Sequence, residues 1–179
     1  MIYVFLAEGF EEIEALATVD ILRRSELDVA TVGVGNKVIT GSHGIPVYCD
    51  VIDCEVLPDD TVQAVILPGG MPGTLNLEKS EKVQMFIDYA AEHNTLIAAI
   101  CAAPSVLGHK GLLNGIEATC YTGFEEQLIG AKISKSPVCV SGNIITANGA
   151  GSALDFGFAI ADYFSCNTKK LKAAMKCAL

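Results

Sequence analysis

One cysteine stands where the sequence pattern changes from strand to helix. Residues 96–105 read LIAAICAAPS, so Cys101 follows an apolar stretch and precedes Pro104, a residue typical of the first turn of a helix. A tight strand-to-helix turn projects its side chain from the sheet edge, as nucleophile elbows do, and the helix N-terminus favours a thiolate. Free cysteines are also often buried as small hydrophobes. This stretch alone therefore leaves both a nucleophile and a core residue open.

An acidic residue near the N-terminus is the predicted partner of this thiol. The first turn of a predicted helix over 11–24 holds Glu11, Glu12 and Glu14, and the helix dipole alone could explain all three. Glu14 differs because it lies one step beyond Ile13, where the apolar face of the helix begins. We expect it to point along the sheet edge toward Cys101. A carboxyl beside a half-buried thiol has a raised pKa and can donate a proton to a thiolate.

Two glycine-rich stretches lie near other predicted strand ends. Residues 67–73 read LPGGMPG, and glycines let backbone N–H groups approach a ligand closely. One such N–H group together with that of Ala102 would form an oxyanion hole. Residues 147–152 read ANGAGS, a GxG pattern that opens a helix but lacks the third glycine of a phosphate loop. We favour tight packing beneath the site over nucleotide binding there.

The order of the predicted elements explains how these stretches would meet. Apolar runs that predict strands alternate with helical patterns, and this alternation predicts an α/β three-layer sandwich with a mainly parallel sheet. Ligands bind such sheets beyond the carboxyl ends of the strands. We expect a single domain over 1–179, with strands at 2–6, 29–34, 64–67, 95–100, 138–140 and 144–147, a hairpin over 36–50, and helices at 11–24, 80–93, 104–109, 152–164 and 168–177; Ser152 would cap the helix that follows it.

Composition excludes several classes of protein. The formal net charge of −9 argues against a nucleic-acid binder and against adhesion to anionic lipid. No apolar run approaches the roughly 20 residues that cross a bilayer, and MIYVFLAEGFEEIEA lacks the basic start of a signal peptide. Seven cysteines without CxxC spacing indicate reduced thiols in the cytoplasm. Because His43, His93 and His109 are far apart in sequence, we expect no metal site and no cofactor.

Four stretches together resemble the DJ-1 (ThiJ/PfpI) family. They are AEGFEEIEALATVDILRR, VILPGGMPG, LIAAICAAPSVL and ANGAGSALDFGFAIAD, which are distributed along nearly the whole chain. The resemblance is strongest to the branch that contains the parkinsonism-associated protein deglycase and its bacterial relatives. It implies the flavodoxin-like, class I glutamine amidotransferase-like α/β sandwich.

The resemblance also implies a site and an assembly. It makes Cys101 the elbow nucleophile and Glu14 the protonated carboxyl that hydrogen-bonds the sulfur. Members of this family are commonly homodimers, and the first helix with the 39–48 hairpin matches the usual dimer surface. The residues implied around the site are Gly69, Gly70 and Ala102 for the reacting oxygen and Asn148, Gly149 and Phe124 for the pocket, and those implied on the first helix of the dimer surface are Asp20, Arg23 and Arg24.

The sequence departs from parts of the family in its histidines. The protease-like branch has a histidine directly after the cysteine, whereas Ala102 stands here and disfavours a peptidase. Other members bring a histidine from the segment after the 117–119 strand, and residues 118–124, ATCYTGF, contain none. We expect all three histidines of this chain to be structural. A glutamine amidotransferase is excluded because no histidine follows His109.

Three functions remain compatible with these residues. In the first, Cys101 adds to a small reactive aldehyde such as methylglyoxal to give a hemithioacetal, Glu14 moves a proton, and a hydroxy acid is released, as in a glyoxalase or deglycase. In the second, an exposed thiolate of low pKa makes Cys101 a redox sensor in oxidative stress, and Glu14 stabilises its sulfinic acid. In the third, the chain is a chaperone-like binding module.

Overall fold

A seven-stranded sheet forms the centre of the computed structural model, which describes residues 1–177. The strand order is β10-β11-β7-β6-β1-β2-β5, and all neighbouring strands are parallel except the β10–β11 pair. The strands of this sheet are β1 (Ile2–Leu6), β2 (Val29–Gly33), β5 (Val51–Ile52), β6 (Ala64–Leu67), β7 (Leu96–Ile100), β10 (Val138–Ser141) and β11 (Ile144–Ala147). Two small sheets lie beside it, an antiparallel hairpin of β3 (Val38–Thr40) and β4 (Pro46–Tyr48) and a parallel pair of β8 (Glu117–Ala118) and β9 (Lys132–Ile133).

Helices cover both faces of the sheet and divide the core in two. Helices α1 and α5 pack on one face, while α2, α3 and α4 supply the buried side chains of the other. The helices are α1 (Glu12–Arg24), α2 (Gly73–Lys79), α3 (Glu81–Glu92), α4 (Pro104–His109), α5 (Ala153–Tyr163) and α6 (Thr168–Ala174). A Cβ at Gly157 would lie 2.8 Å from Ile21 Cδ1, so a glycine in α5 lets α1 approach closely. In the described residues no helix is long and apolar enough to cross a membrane.

The predicted α/β sandwich with a mainly parallel sheet is confirmed, and most predicted elements are found within two residues of their expected bounds. The predicted bounds of the last helix were too long at its C-terminal end, since α6 ends at Ala174. Helix α2 was missed because PGGMPG looks like a turn and the helix begins inside it. Ser152 is the N-cap residue of α5, as predicted, but its Oγ donates to Asn148 Oδ1 at 2.7 Å and makes no capping hydrogen bond.

The apolar face predicted for α1 is also partly wrong. Ile13 is 58% exposed and Leu16 is 37% exposed, whereas Glu12 and Glu14 are buried. The first turn of α1 lies against loops at the carboxyl edge of the sheet and not over the strands. Polar side chains of this turn therefore face inward and apolar ones face solvent.

Candidate active site

Cys101 lies on a strained turn between β7 and α4. Its φ is +65°, a conformation that is uncommon outside glycine and that clusters at functional sites. Two backbone hydrogen bonds hold the turn: Cys101 N–H donates to Ala147 O at 2.8 Å, and Tyr121 N–H donates to Cys101 O at 2.7 Å. The side chain is partly buried. The neighbouring strand β11 and the segment after β8 thus fix the cysteine where the sequence placed it, directly after a buried strand.

Glu14 is the carboxyl beside this sulfur. Its side chain is 1% exposed, Oε2 accepts the Gly69 N–H at 2.8 Å, and no nitrogen or oxygen donor reaches Oε1. Burial raises the pKa of Glu14 to about 7, although the neighbouring Cys101 thiol and the hydrogen bond from Gly69 N–H act in the opposite direction. A carboxyl with this pKa exchanges its proton near neutral pH, which suits general acid–base work.

The thiol is less acidic than the sequence suggested. Burial and the charge and proximity of the Glu14 carboxyl raise the pKa of Cys101 to about 12, against the neighbouring Gly70 and Ala102 N–H groups, which lower it. The expected exposed thiolate of low pKa is therefore wrong. When Glu14 is ionised, its negative charge disfavours a second one on the sulfur, so near neutral pH the pair carries at most one negative charge, on the carboxyl.

The glycines before α2 let their backbone come close to the reacting groups. A Cβ at Gly69 would lie 2.5 Å from Cys101 Cβ and 2.7 Å from Glu14 Oε2. Gly70 has φ +90°, and a Cβ there would lie 2.4 Å from Glu11 N. Because Glu11 N–H also donates to Gly69 O at 2.9 Å, the loop is tied to the start of α1. The N–H groups of Gly70 and Ala102 lie near enough to the Cys101 sulfur to lower the pKa of its thiol; the oxyanion hole expected from them stays a prediction.

A cavity of about 640 Å³ is lined by the segment after β8 and the loop after β11, and neither Cys101 nor Glu14 is among its lining residues. Asn148 and Gly149 line it, whereas Phe124 is not among its lining residues and packs against the core on the α4 side. Tyr121, which also lines the cavity, was missed by sequence reasoning. Its ring would lie 3.4 Å from a Cβ at Gly149, and its N–H group binds the Cys101 carbonyl. Only the position of this residue, in the segment where relatives supply a histidine, could have indicated it.

Each of the three histidines contacts a side chain other than Cys101 or Glu14. His43 Nδ1 lies 3.0 Å from Glu12 Oε2, and His109 Nδ1 lies 2.5 Å from Glu78 Oε1. The His93 ring stacks on Tyr89 with a centroid separation of 3.9 Å. Glu14 is therefore the titratable side chain that shapes the Cys101 thiol most directly.

Comparison with known families and proteins shows which family the chain belongs to. The family model described as the DJ-1/PfpI family matches residues 1–163. Protein DJ-1 homolog B of Arabidopsis thaliana is 34% identical over 173 residues, which make up 96% of this chain and 39% of that protein. The chain thus spans about two fifths of the length of this relative.

Two further similarities concern activity and structure. The Glutathione-independent glyoxalase DJR-1.2 of Caenorhabditis elegans is 31% identical over 157 residues, 87% of this chain and 83% of that protein. A structure of Toxoplasma gondii DJ-1, described as oxidized, superposes with a TM-score of 0.93 at 31% identity, covering 99% of this chain and 98% of the other.

Proposed function

Since the chain belongs to the DJ-1/PfpI family, we propose that it converts small reactive carbonyls by a glyoxalase- or deglycase-type reaction in which Cys101 is the nucleophile and Glu14 moves the proton. The observation that carries the proposal is the pairing of a buried carboxyl, with Oε1 free of nitrogen and oxygen donors, and a thiol on a strained turn. The glyoxalase name of one relative supports the same substrate class.

The first step forms a carbon–sulfur bond. Ionised Glu14 accepts the thiol proton while the sulfur of Cys101 attacks the aldehyde carbon, and the carbonyl oxygen takes the bonding electron pair. Proton transfer overcomes the high pKa of the thiol, because the sulfur need not carry a full charge before it attacks. The carboxylic acid that results can return its proton to the oxygen and give a neutral hemithioacetal.

The second half of the reaction releases a hydroxy acid. With methylglyoxal, the former aldehyde carbon passes its proton to the neighbouring carbonyl carbon, and the hydroxyl proton of the hemithioacetal passes to the oxygen on that carbon. The product of these two transfers is a thioester of lactate. Water then cleaves the thioester, which frees lactate and restores the thiol. Glu14, with a pKa of about 7, can accept and donate the proton in these steps. The Gly70 and Ala102 N–H groups are suited to stabilise negative charge on the oxygen.

Lactate formation from methylglyoxal tests the proposal. We expect Cys101→Ser to abolish turnover and Glu14→Gln to lower kcat/KM about 100-fold or more, since a positioned acid–base group typically contributes at least that factor. Glu92→Gln, on the exposed face of α3, is the matched control and should react like the wild type. Equal rates in the wild type, Cys101→Ser and Glu14→Gln would disprove the mechanism.

Oxidation of the same sulfur is a second candidate function. A sulfinate at Cys101 would have the Gly70 and Ala102 N–H groups and protonated Glu14 as hydrogen-bond donors, and the relative from Toxoplasma gondii is described as oxidized. All seven cysteines are free, which suits a reducing compartment. Because ionised Glu14 can accept the thiol proton as the sulfur reacts, peptide mass spectrometry after mild peroxide treatment should find two added oxygens first on Cys101. Earlier oxidation of exposed Cys54 would rule this function out.

A homodimer is the assembly that fits the exposed apolar side chains of the protein. Ile13 and Leu16 on α1 and Ile45 and Tyr48 in the hairpin are exposed. These elements were expected to form the dimer surface, and burying such side chains favours association. We expect sedimentation to give a dimer for the wild type and a monomer for Ile13→Asp. A monomeric wild type at micromolar concentration would contradict this.

A further inference from the structure

A second group of donor atoms lies where the hairpin turn meets the start of α1. One atom each of Glu11, Glu12 and His43 lies within 4.8 Å of the other two. Ser42 Oγ lies 3.1 Å from Glu11 Oε2, 3.3 Å from Glu12 Oε2 and 3.1 Å from His43 Nδ1. His43 Nδ1 is 3.0 Å from Glu12 Oε2 and 3.5 Å from Glu11 Oε2. Four donor atoms therefore converge on one point.

These separations match the edges of a small tetrahedron. Zinc binds histidine nitrogen and carboxylate oxygen at about 2.0–2.2 Å, so the ligands of a tetrahedral ion lie roughly 3.3–3.6 Å apart. Five of the six edges of this cluster measure between 3.0 and 3.5 Å. An ion could enter with shifts of a few tenths of an ångström in the side chains.

The charges of the cluster are incompletely neutralised. Glu12 is 5% exposed, yet within residues 1–177 no lysine or arginine comes within 4 Å of Glu11 or Glu12, and His43 is their one ion-pairing neighbour. Even a protonated imidazole leaves one negative charge. A divalent cation would balance both carboxylates.

The Glu12 carboxylate is held in place from behind. Its Oε1 accepts the N–H groups of His43 at 2.8 Å and Ile45 at 3.3 Å, which fixes the direction of Oε2. A Cβ at Gly41 would lie 2.3 Å from Glu12 Oε1, so the turn closes tightly around this group. Hydrogen bonds to the outer atom of a ligand are what orient and support a metal-binding carboxylate.

We propose that Glu11, Glu12 and His43 bind a divalent transition-metal ion of the zinc class, with the Ser42 hydroxyl or a water at the fourth corner. Sequence spacing could not reveal this site because its ligands come from two separate segments. The ion would join the hairpin turn to the first turn of α1. This inference does not depend on the proposed carbonyl chemistry, since it uses neither Cys101 nor its reaction.

Cobalt(II) chloride is the probe, because its spectrum separates this site from the seven cysteines. Reduced protein is treated with EDTA, exchanged into chelator-free buffer and titrated with cobalt. We expect one equivalent to give visible ligand-field bands of a tetrahedral ion without the near-ultraviolet band of a sulfur–cobalt bond. The wild type and Cys101→Ser should bind alike. Loss of a ligand in Glu11→Gln or His43→Ala should weaken binding by about 100-fold or more.

His93→Ala is the matched control for His43→Ala, since both remove an exposed imidazole. It should bind cobalt like the wild type, and circular dichroism should show that all variants are folded. Cobalt or zinc should also raise the Tm of the wild type and leave that of His43→Ala unchanged. Absence of binding in the wild type would overturn the proposal and show that the cluster holds hydrogen bonds only. Sulfur–cobalt bands, or binding that survives in His43→Ala, would overturn it equally.

Discussion

The first turn of α1 holds two buried carboxyls on opposite sides, and their surroundings shift the two pKa values in opposite directions. Glu12 faces the hairpin turn and is 5% exposed, while Glu14 faces the elbow and is 1% exposed. Burial raises the pKa of both groups. Hydrogen bonds from the His43 side chain and from the N–H groups of His43 and Ile45 nevertheless lower the pKa of Glu12 to about 2. Glu14 accepts one N–H and faces a thiol, and its pKa rises to about 7.

The number of donors decides whether a buried carboxyl is a structural anchor or a proton carrier. On the hairpin side, both oxygens of Glu12 accept hydrogen bonds, so the charged form is held and the turn is fixed. On the elbow side, Oε1 of Glu14 lacks a nitrogen or oxygen donor, so the charged and neutral forms differ little in free energy near pH 7. Glu12 and Glu14 have nearly the same position in the helix and nearly the same burial. The difference in their pKa values therefore comes from the loops that face them.

Matched glycine substitutions on the two sides should have the largest effects. In Gly69→Ala, the new Cβ would lie 2.5 Å from Cys101 Cβ and 2.9 Å from Ile100 O, atoms that cannot move independently of the backbone. In Gly41→Ala it meets the end of the Glu12 side chain. We expect Gly69→Ala to lower the free energy of unfolding by about 3 kcal/mol and to abolish lactate formation. Gly41→Ala would displace the hydrogen-bonded Glu12 carboxylate and should lower the free energy of unfolding by about 2 kcal/mol. Urea denaturation measures both, and equal losses would show that the two loops are equally tolerant.

The two carboxyls should change the free energy of unfolding in opposite directions as pH rises. The folded pKa of Glu14, about 7, exceeds its ordinary value of 4.5, so its contribution is fully present below pH 4.5 and is lost as pH rises through 7. That loss amounts to about 3 kcal/mol. The folded pKa of Glu12, about 2, lies below 4.5, so its contribution is present above pH 4.5 and is lost as pH falls toward 2.

The free energy of unfolding can be measured by urea denaturation from pH 2.5 to 8 for the wild type, Glu14→Gln and Glu12→Gln. EDTA is present to exclude metal ions. Glu14→Gln should remove the decline of stability between pH 4.5 and 7, and Glu12→Gln should flatten the decline below pH 4.5. If Glu14→Gln left the profile unchanged between pH 4.5 and 7, its carboxyl would titrate in the folded protein as it does in the unfolded chain.

The sequence predicted the fold and the position of the site, but it did not predict that the pKa values of Glu12 and Glu14 differ. The alternation of strands and helices predicted the sheet, and the position of Cys101 after a buried strand predicted the elbow. Both rest on local patterns that the chain itself carries. The prediction that the buried face of α1 begins at Ile13 was wrong. Helical periodicity assumes that the apolar face of a helix packs on the core, whereas the first turn of α1 packs on loops. The pKa values depend on donors from Gly69 and His43, which are distant in sequence and close only in the fold.

The smallest expected effect is on the pH dependence of thiol alkylation, and it isolates the elbow side. With ionised Glu14 as proton acceptor, the rate at which iodoacetamide modifies Cys101 should rise about tenfold between pH 6 and 8 and then level off, following a group with a pKa of about 7. Glu14→Gln lacks this acceptor, so its rate should keep rising about tenfold per pH unit through pH 8 with the free thiolate. Glu12→Gln should retain the plateau, because that carboxyl does not contact the thiol.

Peptide mass spectrometry separates Cys101 from exposed Cys54, whose profile should be the same in all three proteins. A plateau that persists in Glu14→Gln would mean that another group accepts the proton, and the distinction between the two glutamates would then rest on stability alone.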